Sequence, residues 1–120
     1  MKYSRFEELP VWQAASSLAL RILEMGEKPS FRRRSLRDQI ERAALSVSNN
    51  IAEGFERGTR EEFLTFLYIA RGSSGELRSQ LAFSVRRGLI AAPVHLDLRD
   101  RCLSVSRQLG AFTSYLRDSE

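Results

Sequence analysis

The sequence predicts an all-α fold, an antiparallel up-and-down four-helix bundle, on three observations. Apolar residues recur at steps of three and four in four separate stretches, no window sustains an alternation of period two, and short runs of glycine, proline and capping residues divide the stretches. Short connections favour antiparallel neighbours. At 120 residues the chain has the length of one domain with one core, so a single domain is expected over 1–120.

Leu9-Pro10-Val11-Trp12 opens the first helix, because proline is tolerated where its missing N–H would have no intrahelical partner. Val11, Ala15, Leu18, Ile22 and Met25 share one face, and Gly26 with Pro29 supplies the stop. Ser30 to Arg34 form a connector. The second stripe runs through Leu36, Ile40, Ala44, Val47, Ile51 and Phe55, and Gly58 closes it.

Thr59 and Glu62 form a Thr-x-x-Glu capping box, in which each side chain can satisfy a backbone N–H of the other residue, so the third helix starts at about Arg60. It carries Phe63, Leu67, Ala70, Ser74, Leu77 and Leu81 and ends near Gly88. Pro93 marks the start of the fourth. There Leu98, Cys102, Val105, Leu109, Phe112 and Leu116 alternate steps of four and three in a heptad-like seam.

Two features of the third helix do not fit a plain monomer. Phe63 to Ala70 are apolar at nearly every position, and a helix of that kind is buried on more than one side. Phe63, Phe66, Leu67, Tyr68 and Ile69 are therefore assigned to a subunit interface; the alternative is that Phe66 or Tyr68 covers a loop. Gly72-Ser73-Ser74-Gly75 places two glycines in mid-helix, at a cost of about 2 kcal/mol relative to alanine. Either a neighbouring helix approaches closely there or the helix breaks.

Composition narrows the function. Apolar residues make up 42% and charged residues 28%, ordinary for a folded domain. No apolar stretch approaches the ~20 residues of a membrane span, and the N-terminus lacks a hydrophobic signal core, so a cytoplasmic protein without membrane contact is expected. Cys102 is the single cysteine, which excludes an intrachain disulfide and fits a reducing compartment. The net charge of +4 comes almost wholly from arginine, since Lys2 and Lys28 are the only lysines. That bias reflects either codon usage or selection for an anionic partner.

Catalytic chemistry finds little support. His95 is the only histidine, so a His-based metal cluster is excluded, and no metal or cofactor is expected. Cys102 lies on the apolar seam, where it reads as a packing residue. The pairs Glu7-Glu8 and Glu61-Glu62 stand near helix N-termini, where the dipole favours them. Glu53 and Glu76 border the core stripes and are expected in a structural polar network with Asn50 and Arg71; an active site is the alternative reading. The cations available to a nucleic acid are Arg32, Arg33, Arg34 and Arg37, joined by Arg42, Arg57 and Arg60. Aromatics are not interleaved with them apart from Phe31, so base stacking along a single strand is not supported.

The segment Gln39-Ile40-Glu41-Arg42-Ala43-Ala44-Leu45-Ser46-Val47-Ser48-Asn49-Asn50-Ile51-Ala52-Glu53-Gly54 resembles the signature of the bacterial four-helix-bundle family of proteins encoded in 23S ribosomal RNA intervening sequences. Phe6-Glu7-Glu8-Leu9 with Val11-Trp12 resembles the opening of that family, and Glu62-Phe63-Leu64, Ala70-Arg71-Gly72-Ser73 and Glu76-Leu77 resemble its third helix. The likeness runs from about Phe6 to Leu89. Ser48 departs from it, because the family often has proline there, and a kink carried over from relatives is not expected.

The resemblance implies a bundle that assembles into a ring, commonly a homopentamer. The chain is also similar, more distantly, to the accessory variability determinant proteins of diversity-generating retroelements, whose basic pentameric barrels bind a reverse transcriptase and nucleic acid. Two functions follow as expectations. One is a non-enzymatic oligomer that binds RNA or DNA through its arginines. The other is an oligomeric scaffold whose main partner is another protein, for example a reverse transcriptase.

Overall fold

Four α-helices and one short 3-10 turn account for nearly all of residues 2–31 and 34–119, which the computed structural model describes. The turn is Phe6–Glu8, and the helices are α1 (Pro10–Gly26), α2 (Arg34–Glu56), α3 (Arg60–Arg86) and α4 (Ala92–Asp118). Among the described residues there is no strand.

Each boundary has a local cause. Proline occupies the first turn of α1 and of α4, where no intrahelical donor is lost. Gly58 and Gly88 adopt φ of 91° and 78°, the left-handed conformation that turns the chain out of α2 and α3. At the start of α3 the Thr59 hydroxyl accepts from the Glu62 N–H at 3.2 Å. The Glu62 carboxylate accepts a hydrogen bond from the Thr59 hydroxyl at 3.0 Å and does not reach back to the Thr59 N–H, so the expected reciprocal box forms in only one direction.

The predicted stripes form the core. Val11, Ala15, Leu18, Ile22 and Met25 of α1 meet Ile40, Ala44, Val47 and Ile51 of α2, with Leu67, Ala70, Leu77 and Leu81 of α3 and Leu98, Cys102, Val105 and Leu109 of α4, all buried. Leu36 and Phe55, at the two ends of the second stripe, are half-buried against this core, and the fourth stripe differs at one position. Thr113 is 2% exposed while Phe112 is only half-buried, because the Phe112 ring turns edge-on to Phe63 at 5.5 Å and leaves the central place to the smaller side chain.

Neighbours in sequence are neighbours in space: α2 packs on α1 and α3, α4 on α3, and α1 meets α4 most thinly, while the backbones of the diagonal pairs stay more than 8 Å apart between Cα atoms. Ascending residues of α2 meet descending residues of α3, with Ser46 beside Ser73 and Gly54 beside Phe66 and Phe63. The same holds for α3 and α4, with Tyr68 beside Arg117 and Ser74 beside Ser106. The result is a rod of 48 × 20 × 20 Å.

Both expectations for the mid-helix glycines are corrected. α3 runs unbroken through Gly72-Ser73-Ser74-Gly75, and a Cβ at Gly72 or Gly75 would meet no atom of this chain within 4 Å. The serines between them make the contacts. Ser73 Oγ lies 2.9 Å from Ser46 Oγ on α2, and Ser74 Oγ lies 2.9 Å from Ser106 Oγ and donates to the Cys102 carbonyl of α4 at 3.2 Å.

Candidate nucleic-acid interface

The arginines expected to meet nucleic acid do not share one surface. α2 has 23 residues, which separates Arg34 at its start from Arg57 beyond its end by about 34 Å along the axis. Arg32 and Arg33 lie outside the described residues. Arg34 and Arg42 are exposed. Arg37 is half-buried against the end of α1, where its Nη1 points at the Gly26 carbonyl at 3.5 Å and its Nε has no partner. At the other pole Arg57 pairs with Glu62 at 3.3 Å and Glu53 at 4.0 Å and lies over the Phe66 ring at 5.0 Å. Arg60 donates to the Ser119 carbonyl and ties α3 to the end of α4. Arg37, Arg57 and Arg60 therefore hold helix ends together, which a list of cations along the chain does not reveal.

The expected polar network is also redrawn. Asn50 Nδ2 donates to the Ser46 carbonyl at 2.7 Å and to Ser46 Oγ at 2.9 Å, and Ser46 passes the chain on to Ser73. This ladder of small polar groups joins α2 to α3. Glu53 and Glu76 are exposed, and Arg71 lies across Gly110 of α4, with guanidinium atoms 3.5 Å from where a Cβ would stand. A step of one or two residues from a core stripe turns a side chain by 100° or 200°, and that rotation carries both carboxylates out to water. Glu76 borders a shallow pocket of about 170 Å³ with Gln39, Arg42 and Ser46 and makes no ion pair among the described residues.

The assigned interface residues divide. Phe63 and Leu67 belong to the core of this chain, 5% and 0% exposed, because they stand on the stripe that faces α2 and α4. Phe66 is half-buried under Arg57. Tyr68 and Ile69 face outward, 44% and 46% exposed, and Phe83 at 54% continues their side of α3 beyond Gly72.

Cys102 is wholly buried, and burial pushes its thiol up to about 12 although the nearby Arg78 charge acts in the opposite direction. Such a thiol is not a nucleophile. His95 is half-buried with its Nε2 unpaired. Among the described residues no three His, Cys, Asp or Glu side chains gather as metal ligands do, and no helix is long and apolar enough to cross a membrane. A groove of about 980 Å³ opens between the end of α1 and the start of α4, lined by Met25, Leu89, Ile90 and Leu98 with Arg21 and Asp97.

Arg78 and Arg117, exposed and outside the expected set, stand in stretches poor in acid: Glu76 is the sole acid between Phe63 and Leu96, and none occurs from Arg101 to Arg117.

The profile of a family described as 23S rRNA-intervening sequence protein matches residues 7–111. Among solved structures, the chain is similar to a crystal structure of a protein of unknown function from the S23 ribosomal protein family of Bacteroides thetaiotaomicron, with a TM-score of 0.81 and 20% identity over 87% of this chain and 95% of that chain. At that identity the likeness establishes the fold. No curated protein matches the chain.

Proposed function

This chain belongs to the family of 23S rRNA-intervening sequence proteins, and from that premise we propose that it is a non-enzymatic, cytoplasmic binding protein that assembles with copies of itself and holds RNA or DNA through exposed arginines. One observation carries the reading: most guanidinium groups stand at the surface without a carboxylate. Among the described residues, ion pairs reach only Arg57, Arg99 and Arg101. Unpaired guanidinium at a surface is available to phosphate, which its fork matches.

The contact register supports an antiparallel, up-and-down reading of the bundle. The outward apolar face of α3, Tyr68, Ile69 and Phe83, supports self-association, and a ring of five is the assembly we propose for it on the family resemblance of the sequence. The same face favours a second reading, in which the oligomer is a scaffold and its main partner is a protein such as a reverse transcriptase. No cofactor enters either reading.

Fluorescence anisotropy against structured RNA and duplex DNA at rising salt tests the first reading. The logarithm of affinity should fall linearly with the logarithm of salt concentration. No binding at low salt, or binding indifferent to salt, overturns it. Capture from nuclease-treated lysate separates the second: a scaffold keeps its protein partner after the nucleic acid is gone.

A further inference from the structure

We propose that the seam between α3 and α4 is a binding strip for a phosphodiester backbone, formed by Arg71, Arg78 and Arg117 with Tyr68 at one end. The proposal rests on the nucleic-acid reading above and names the surface that carries it, which differs from the arginine run that the sequence brings forward.

Placement comes first. Arg71 and Arg78 are seven residues apart on α3, two turns, and so share one side of the helix about 10 Å apart. That side faces α4. The Arg71 guanidinium crosses Gly110 at ordinary contact distance, and Arg78 is near enough to Cys102 for its charge to act on the thiol. Arg117 reaches back from α4, donating from Nη1 to the Tyr68 hydroxyl at 2.9 Å and from Nη2 to Ser114 Oγ at 3.3 Å. From Tyr68 to Arg78 the strip is about 15 Å long.

Charge comes second. Arg71, Arg78 and Arg117 are exposed and none has a carboxylate partner among the described residues. The stretch from Arg101 to Arg117 supplies no acid, and Glu76 turns away toward Gln39 and Arg42 of α2. Beyond Arg78 the next arginine on this side of α4, Arg99, is held by Asp100 at 3.1 Å, so the uncompensated charge ends there. Three forks in a line, none of them in an ion pair among the described residues, match a repeating anion. Arg57, by contrast, already stands against the carboxylates of Glu62 and Glu53.

The test compares the wild type with R71Q/R78Q/R117Q and with R57Q/R99Q/R101Q, which removes the same charge at the arginines already paired with carboxylates. Each is titrated by anisotropy against a short labelled RNA strand and a labelled DNA duplex. Helical circular dichroism and thermal melting verify that each variant folds. The seam triple should weaken binding about tenfold or more on at least one probe and flatten its log–log salt slope by about 2 to 3, roughly 0.7 to 0.9 for each lost phosphate contact. The other triple should change affinity less than about threefold. R71K/R78K/R117K, which keeps the charge, should recover most of the loss and cover the case in which the glutamines disturb packing. Equal losses in the two glutamine triples would mean that net charge and not the strip binds. A seam triple that binds like the wild type overturns the strip while leaving the nucleic-acid reading intact, and a wild type that binds neither probe at low salt removes both. If an acidic polypeptide binds the wild type and loses affinity in the seam triple while RNA and DNA bind both proteins alike, the strip is a protein surface and the proposal is wrong.

Discussion

At the scale of single residues, burial decides reactivity. Cys102 has no exposed surface, and its thiol is held near 12 against an ordinary value of 9.0. The folded protein should resist thiol reagents at pH 8 and react at once when denatured; labelling at equal rates in both states would contradict the burial. Stability carries the same sign. Between pH 9 and about 12 the unfolded chain sheds this proton while the folded chain keeps it, so urea midpoints should fall as pH rises through that window and should be indifferent to the thiol below it. The placement of Cys102 was legible because it sits in the middle of an apolar stripe. Glu53 and Glu76 were not, since a residue beside a stripe can turn either way and periodicity alone does not settle which.

At the scale of elements, the glycines of α2 and α3 have opposite roles. At Gly54 a Cβ would stand 2.7 Å from Phe66 Cβ and 3.3 Å from the Phe63 carbonyl oxygen, so the two helices approach on hydrogen alone. Gly54→Ala should destabilise by about 1 to 3 kcal/mol in urea unfolding, through forced separation of α2 and α3. Gly72 and Gly75 meet open space, and alanine at either should stabilise the isolated chain by roughly 1 kcal/mol by narrowing the backbone freedom of the unfolded chain. A loss of stability there, together with a smaller assembly, would place another copy against that face. Helix ends were legible because proline, Thr59 and positive-φ glycines act within a few residues. Close packing at Gly54 was not, because it depends on which helix lies opposite.

The whole molecule presents two surfaces that the linear sequence keeps apart. One is the outward side of α3 with Tyr68, Ile69 and Phe83, and the other is the basic seam shared with α4. Ile69→Glu with Phe83→Glu should convert an assembly to single chains in analytical ultracentrifugation while leaving helical circular dichroism unchanged; a wild type that sediments as single chains would end the self-association reading. Four stripes at helical spacing made the bundle legible, but the seam joins residues some forty positions apart, and a search along the chain for runs of arginine has no means of adding charges across two helices. The four helices also hold the core unequally. α1 meets α4 most thinly, and the large groove opens along that side. Amides of α1 should therefore exchange with solvent through a partial opening that leaves α2, α3 and α4 folded, so the molecule has one hinged side and three fixed ones.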